Sequence, residues 1–158
     1  MSDAKVFHEA FADVLRGLPE IAVSGDDTPF HQCFGCGPRH DIGLRVRCFG
    51  TDVGVLSPIV VPRRYEGPPG AAHGGIVAAY LDEVLAAAAV HHTGRLHVTG
   101  ELSVRYVRPT PIERPILGRG RATRAAPKYL EVEGTLEDFA TKEIVARATA
   151  RFFPMQRD

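Results

Sequence analysis

Hydrophobic and polar positions alternate along much of this chain, and the two apolar segments that break the alternation read as helices. Residues 3–16 place Val6, Phe7, Ala10, Phe11, Val14 and Leu15 at i, i+3, i+4 spacing and stop at Gly17. That spacing predicts an amphipathic helix lying on a larger body. Residues 19–42 carry no such period; rich in Pro, Gly, Asp and His, they read as a long ordered loop or a flexible connector. From residue 43 the period becomes two. Leu44, Val46 and Cys48 alternate with Arg45 and Arg47, and Gly50-Thr51-Asp52 turns the chain into Val53, Val55, Ser57, Ile59 and Val61. After a Gly- and Pro-dense loop from Pro62 to Ala72 comes the second segment, Gly75 to His92. It is Ala-rich, has no Gly or Pro inside and is apolar on nearly every face, which predicts a buried central helix.

Three further alternating runs follow. Leu96, Val98, Leu102, Val104 and Tyr106 share a face opposite His97, Thr99, Glu101, Ser103 and Arg105. Leu130, Val132 and Leu136 oppose Glu131, Glu133 and Glu137; Ile144, Ala146, Ala148, Ala150 and Phe152 oppose Arg147, Thr149 and Arg151. A weaker strand spans Ile116 to Ala125 and is stopped by Pro127. Acidic outer residues on one strand and basic ones on the next suit cross-strand pairs. The order is helix, two strands, buried helix, three or four strands. An antiparallel sheet wrapped around one hydrophobic helix satisfies both periods, an α+β fold with a wet or partner-facing outer surface.

Composition narrows the class. The 158 residues suit one domain with a substantial core. Nineteen basic and nineteen acidic side chains cancel, and no basic run exceeds two residues, so neither nucleic acid nor a membrane surface is an expected partner. Sixteen Gly and twelve Pro with 44% hydrophobic residues exclude disorder and favour a turn-rich β protein. Three cysteines, Cys33, Cys36 and Cys48, are an odd number for a disulfide framework. The N-terminus lacks a signal-peptide layout, and the apolar run Ile76 to Val90 is short for a membrane span and interrupted by Asp82 and Glu83. A cytoplasmic protein is expected.

The chemistry gathers at the start of the central helix. In His73-Gly74-Gly75, two glycines at a helix N-terminus leave backbone N–H groups uncovered where the dipole favours negative charge. An oxyanion hole for acyl transfer needs that equipment, although a plain tight loop would use the same glycines. Asp82 is a carboxylate in an apolar helix, costly unless paired or used. Adjacent helical residues diverge by about 100°, so Asp82 and Glu83 cannot share one environment. Gly74 and Asp82 are eight residues apart, about 12 Å along a helix and about 80° around it. Groups acting on one carbonyl carbon lie much closer. A shared reaction therefore takes Asp82 from one chain and the glycine from its neighbour, which implies a dimer.

His73-Gly74-Gly75 with an acid nine positions after the His resembles the hotdog-fold acyl-CoA thioesterases of the phenylacetate-degradation type, in the 4-hydroxybenzoyl-CoA thioesterase superfamily. Cys33-Phe-Gly-Cys36-Gly37-Pro38 followed by Gly43-Leu44 is similar to the entry motif of many members. The run from Thr99 to Pro109 is similar to the strand after their central helix. The resemblance covers roughly 31–155 and is most specific at the helix motif. It divides the chain into an N-terminal helix and connector, 1–30, and a single hotdog domain, 31–158. It implies Asp82 as nucleophile or general base, Gly74 with Gly75 as oxyanion donors, His73 shaping the loop and Thr99 near the water. It also implies a homodimer or a dimer of dimers with sites between subunits. Many relatives carry Asn about six residues before the His-Gly-Gly, where this chain has Gly67.

The resemblance thus favours hydrolysis of an acyl-CoA or similar thioester, with coenzyme A entering only as part of the substrate and no separate cofactor or metal. A non-catalytic acyl-CoA-binding protein is the alternative. Cys33-x-x-Cys36 with His31 and His40 has the donors of a short zinc site, but structural zinc usually draws its second ligand pair from a distant segment. His91 and His92 suit a helix C-terminus. Arg105, Arg108, Arg119, Arg121 and Arg124 have the charge to grip phosphates, yet strand arginines are commonly solvated. No nucleophile elbow, P-loop or dinucleotide fingerprint is present.

Overall fold

The computed structural model describes residues 3–22 and 28–156, with side chains from Glu9 onward. The elements are α1 (Asp3–Leu15), β1 (Phe49–Gly50), β2 (Val55–Val60), a 3-10 turn (Arg63–Tyr65), α2 (Gly74–Thr93), β3 (His97–Tyr106), β4 (Pro115–Ala125), β5 (Leu130–Asp138) and β6 (Ile144–Pro154). The strands form one antiparallel sheet ordered β1-β2-β4-β5-β6-β3. The sheet packs around α2, as the two periods required.

Along α2, Val77, Tyr80, Leu81, Val84, Leu85 and Ala87 to Ala89 are buried against Ile116, Val132, Leu136 and Phe152. Truncating Leu85 to Ala should cost about 2–5 kcal/mol, because the packed sheet closes poorly over the void. By length and composition α2 would pass for a membrane-spanning helix, yet here it is the axis of the core. It ends at Gly94, whose left-handed φ of 70° lets its N–H reach the Val90 carbonyl.

The other helix covers the opposite side of the sheet. Phe11 of α1 is buried with Leu56 and Leu117, and its ring lies 4.9 Å from that of Phe139. Leu56, on the outward side of β2, is buried for this reason. The side chains of Val6 and Phe7 and residues 23–27 of the expected connector lie outside the described residues. Elsewhere the outer face is polar apart from Val98 and Phe153, and the expected cross-strand pairs form: Arg121–Glu133 at 2.6 Å and Arg124–Glu131 at 3.2 Å.

Two expectations need correction. Leu44 to Cys48 is not a strand, and β1 is only Phe49–Gly50. Arg45 takes a left-handed φ of 50°, and the N–H groups of Leu44 and Val46 bond to the carbonyls of Phe34 and Gly35 at 2.8 and 2.9 Å instead of to a strand. The alternation of residues 44–48 serves a loop packed on the core.

The second correction is in β3. Its pairing with β6 shifts between Thr99 and Glu101, a β-bulge at Gly100. Thr99 lies opposite the fully buried Phe152, whereas Val98 lies opposite Phe153 on the outer face. The extra residue reverses the alternation on one side of the bulge. Val98 is therefore 51% exposed, and Thr99 turns inward with Leu102 and Val104.

Candidate active site

α2 begins where the Gly/Pro loop ends. His73 is its N-cap, in an extended conformation, and its Nδ1 accepts a hydrogen bond from the Gly75 N–H at 3.0 Å. The His73 carbonyl accepts from the Val77 N–H at 3.0 Å. The geometry thus separates two glycines that the sequence treated alike. The Gly75 N–H is taken up within the cap; the Gly74 N–H has no partner among the described residues and sits at the positive end of a twenty-residue helix. Tyr106, at the end of β3, donates from its hydroxyl to the Gly74 carbonyl at 2.7 Å and pins the first peptide of the helix. Its role was not read from the sequence, where Tyr106 counted only as an apolar strand position.

Asp82 lies two turns along the same helix. Its Oδ1 accepts a hydrogen bond from Thr99 Oγ1 at 2.7 Å, a contact that the bulge at Gly100 makes possible. Asp82 is half-buried, and the pair lies beneath β3, at the free edge of the sheet. Thr99 thus holds one of the two carboxylate oxygens.

Glu83, beside it, points elsewhere. Its carboxyl reaches the loop of Cys33 and Cys36. Burial pushes its pKa up to about 7, the neighbouring Asp82 charge adds to the rise, and a hydrogen bond with Cys36 opposes it. The sequence flagged that Asp82 and Glu83 must diverge but did not show what Glu83 meets, since Cys36 is 47 positions away. Cys48, the third cysteine, is buried in the core, and desolvation pushes its thiol up to about 12.

Gly67 packs against the His73 backbone: a Cβ placed there would lie 2.8 Å from the His73 Cα. The Gly67 N–H bonds to the Ala71 carbonyl at 2.9 Å, and His73 N–H to the Tyr65 carbonyl at 2.8 Å. This tight loop leaves no room for an asparagine at 67. The strand arginines are mostly engaged, Arg108 with Glu143 at 3.4 Å and Arg119 with Glu137 at 3.7 Å. His91 uses Nε2 on the Thr51 carbonyl at 2.9 Å, tying the end of α2 to the β1–β2 turn.

Residues 69–145, which run from the loop before α2 to the start of β6, match the model of the thioesterase superfamily. The fold is the hotdog fold of that superfamily. A thioesterase superfamily protein of known crystal structure superposes on this hotdog chain with a TM-score of 0.70 at 25% identity, covering 95% of this chain and 76% of that one. A Streptococcus mutans protein bound to acetyl CoA superposes with a TM-score of 0.63 at 23% identity, covering 70% of this chain and 88% of that one. The PaaI protein from the phenylacetic acid degradation operon of E. coli gives a TM-score of 0.62 at 14% identity, with 70% and 83% covered. No curated protein matches the sequence.

Proposed function

We propose that this hotdog protein hydrolyses an acyl-CoA or a closely related thioester, with Asp82 as general base. The observation that carries the proposal is the Thr99–Asp82 hydrogen bond on the same helix whose first N–H, that of Gly74, is unengaged. Asp82 takes a proton from water as its oxygen attacks the thioester carbonyl carbon. The charge that develops on the carbonyl oxygen is held by the Gly74 N–H. The C–S bond then breaks, and the departing thiolate receives the proton that Asp82 carries. The products are a carboxylic acid and free coenzyme A. The similarity to a protein bound to acetyl CoA supports this choice of substrate class.

Gly74 and Asp82 lie on one continuous helix, about 12 Å apart along its axis. They act on one carbonyl only if they come from different chains, so the working unit is a dimer in which each chain gives Gly74 to one site and Asp82 to the other. The free edge supports this arrangement. β3 exposes Val98 and Tyr106 along ten residues, and an uncovered strand of that length invites pairing with another chain.

A non-catalytic acyl-CoA-binding role is the second reading, and Gly67 favours it, since the family's side chain near the carbonyl is missing there. One experiment separates the two. Thiol release from a panel of acyl-CoA substrates is followed for the wild type and Asp82→Asn. Hydrolysis predicts a loss of about 10²–10⁴-fold in kcat with coenzyme A binding retained. Turnover that survives the substitution removes Asp82 from the mechanism, and wild-type protein that binds coenzyme A tightly without turnover establishes the binding role.

A further inference from the structure

Cys33-Phe-Gly-Cys36 takes no part in the chemistry above, yet the structure gives it a neighbour that the sequence did not. His31 and His40, the nearby donors in sequence, do not join the cysteines: His31 Nδ1 lies 2.8 Å from the Thr28 carbonyl, His40 Nδ1 accepts the Ile42 N–H at 3.3 Å, and neither ring belongs to the cluster around the sulfurs. The third donor comes from α2. The sulfurs of Cys33 and Cys36 and a carboxylate oxygen of Glu83 all lie within 4.8 Å of one another. Around a tetrahedral zinc, with Zn–S about 2.3 Å and Zn–O about 2.1 Å, ligand atoms stand about 3.5–3.8 Å apart. The 4.8 Å bound exceeds the upper end of that range by about 1 Å.

The loop is built for this approach. The Gly37 N–H closes on the Cys33 carbonyl at 2.8 Å, and the N–H groups of Leu44 and Val46 hold the carbonyls of Phe34 and Gly35 from the other side. Gly35 sits between the cysteines without a side chain, and any Cβ there would collide with the Glu83 carboxylate. The Cys-x-Gly-Cys sequence therefore admits a carboxylate between two thiols. A disulfide would satisfy the sulfurs alone and give no role to the carboxylate held against them. Two soft thiolates and one carboxylate from segments far apart in sequence are a zinc donor set, not one for magnesium or calcium.

We infer that Cys33, Cys36 and Glu83 bind a zinc ion that clips the loop of residues 28–47 to α2, one residue from Asp82. The sequence expectation of no metal rested on the lack of a ligand from a distant segment; Glu83 is such a ligand. No other Cys, His, Asp or Glu joins the three among the described residues, so the fourth position goes to solvent. Three protein ligands and a solvent-filled fourth position make an open site, unlike the closed four-ligand sites of structural zinc. Binding displaces the thiol protons to solvent, so affinity rises with pH. The inference stands independently of the thioesterase reading.

The test uses the untagged full chain, reduced and then equilibrated with zinc. About one zinc per chain should remain after gel filtration, read by elemental analysis. Cobalt(II) in place of zinc should give a thiolate-to-metal charge-transfer band and the visible absorption of a tetrahedral site. Glu83→Gln should weaken zinc binding by about 100-fold or more in competition with a chromophoric chelator, since losing a ligand costs at least what losing its outer partner costs. The Cys33→Ser, Cys36→Ser double variant should lose the charge-transfer band; if it does not fold, the wild-type cobalt spectrum decides. A cobalt titration without that band, a Glu83→Gln protein that binds zinc as tightly as wild type, or a Cys33–Cys36 disulfide in protein purified with zinc present would each overturn the inference.

Discussion

Thr99 reaches Asp82 across 2.7 Å because β3 carries one residue more than its partner strand at Gly100. Without that bulge, alternation would aim Thr99 at the outer surface and Val98 at the helix. The hydroxyl fixes which carboxylate oxygen stays available. Thr99→Val should lower kcat by about tenfold or more, the worth of one hydrogen bond to a charged group, while Thr99→Ser keeps most of it. Thiol release at saturating substrate checks this, and an unchanged kcat in the valine variant would separate Thr99 from the chemistry.

Gly74→Pro is a clean probe of the proposed oxyanion role of the Gly74 N–H. Proline is well tolerated at the first position of a helix, and the extended His73 already has the backbone that precedes a proline. A Cβ at 74 meets only the Tyr106 ring at 3.6 Å, an ordinary contact. The variant should fold with nearly unchanged thermal stability and lose about 10²–10³-fold in kcat. Full activity would mean that the charge is held elsewhere.

Phe11→Ala tests the docking of α1. Phe11 is 1% exposed against Leu56, Leu117 and Phe139, so the change should cost about 3–5 kcal/mol of that packing. The expected sign is a lower melting temperature together with new proteolytic cleavage between residues 9 and 22. Protection from protease equal to wild type would contradict the packing.

Glu83 makes stability depend on pH in metal-free protein. Its folded pKa of about 7 lies above the ordinary glutamate value of 4.5, so the folded state holds this proton where the unfolded state has lost it. The stabilisation is fully present below pH 4.5 and is lost as pH rises through about 7, amounting to about 3 kcal/mol. Asp82 and the thiols of Cys33, Cys36 and Cys48 are titratable groups near it, and Asp82 raises the folded value further. Denaturant melts from pH 4.5 to 7.5 with chelator present should fall more steeply for wild type than for Glu83→Gln. Parallel curves would place the titration elsewhere.

The buried helix and the strands β5 and β6 were legible because their periods are long, whereas β4, with its register shift between Ala122 and Arg124, read only as a weaker strand. The His73-Gly74-Gly75 cap and Asp82 were legible because a carboxylate and two glycines stand out in an apolar segment. The misreadings have local causes. Gly100 was counted through as an ordinary strand residue, although a glycine inside a strand is itself a sign of a bulge, so Val98 and Thr99 were given the wrong faces. Arg45 breaks a good alternation with a left-handed φ that no side-chain pattern announces. The meeting of Glu83 with Cys33 and Cys36 depends on how a loop folds back onto a helix some fifty residues later, which periodicity does not encode.

The continuity of α2 has a genetic consequence. On the proposed mechanism each chain carries half of two different reaction centres, so damage to one half is not confined to the chain that bears it. Asp82→Asn chains and Gly74→Pro chains, each inert alone, should recover activity when unfolded and refolded together. Every hybrid pair then contains one centre with both groups intact and one with neither. Random pairing should restore about a quarter of the centres.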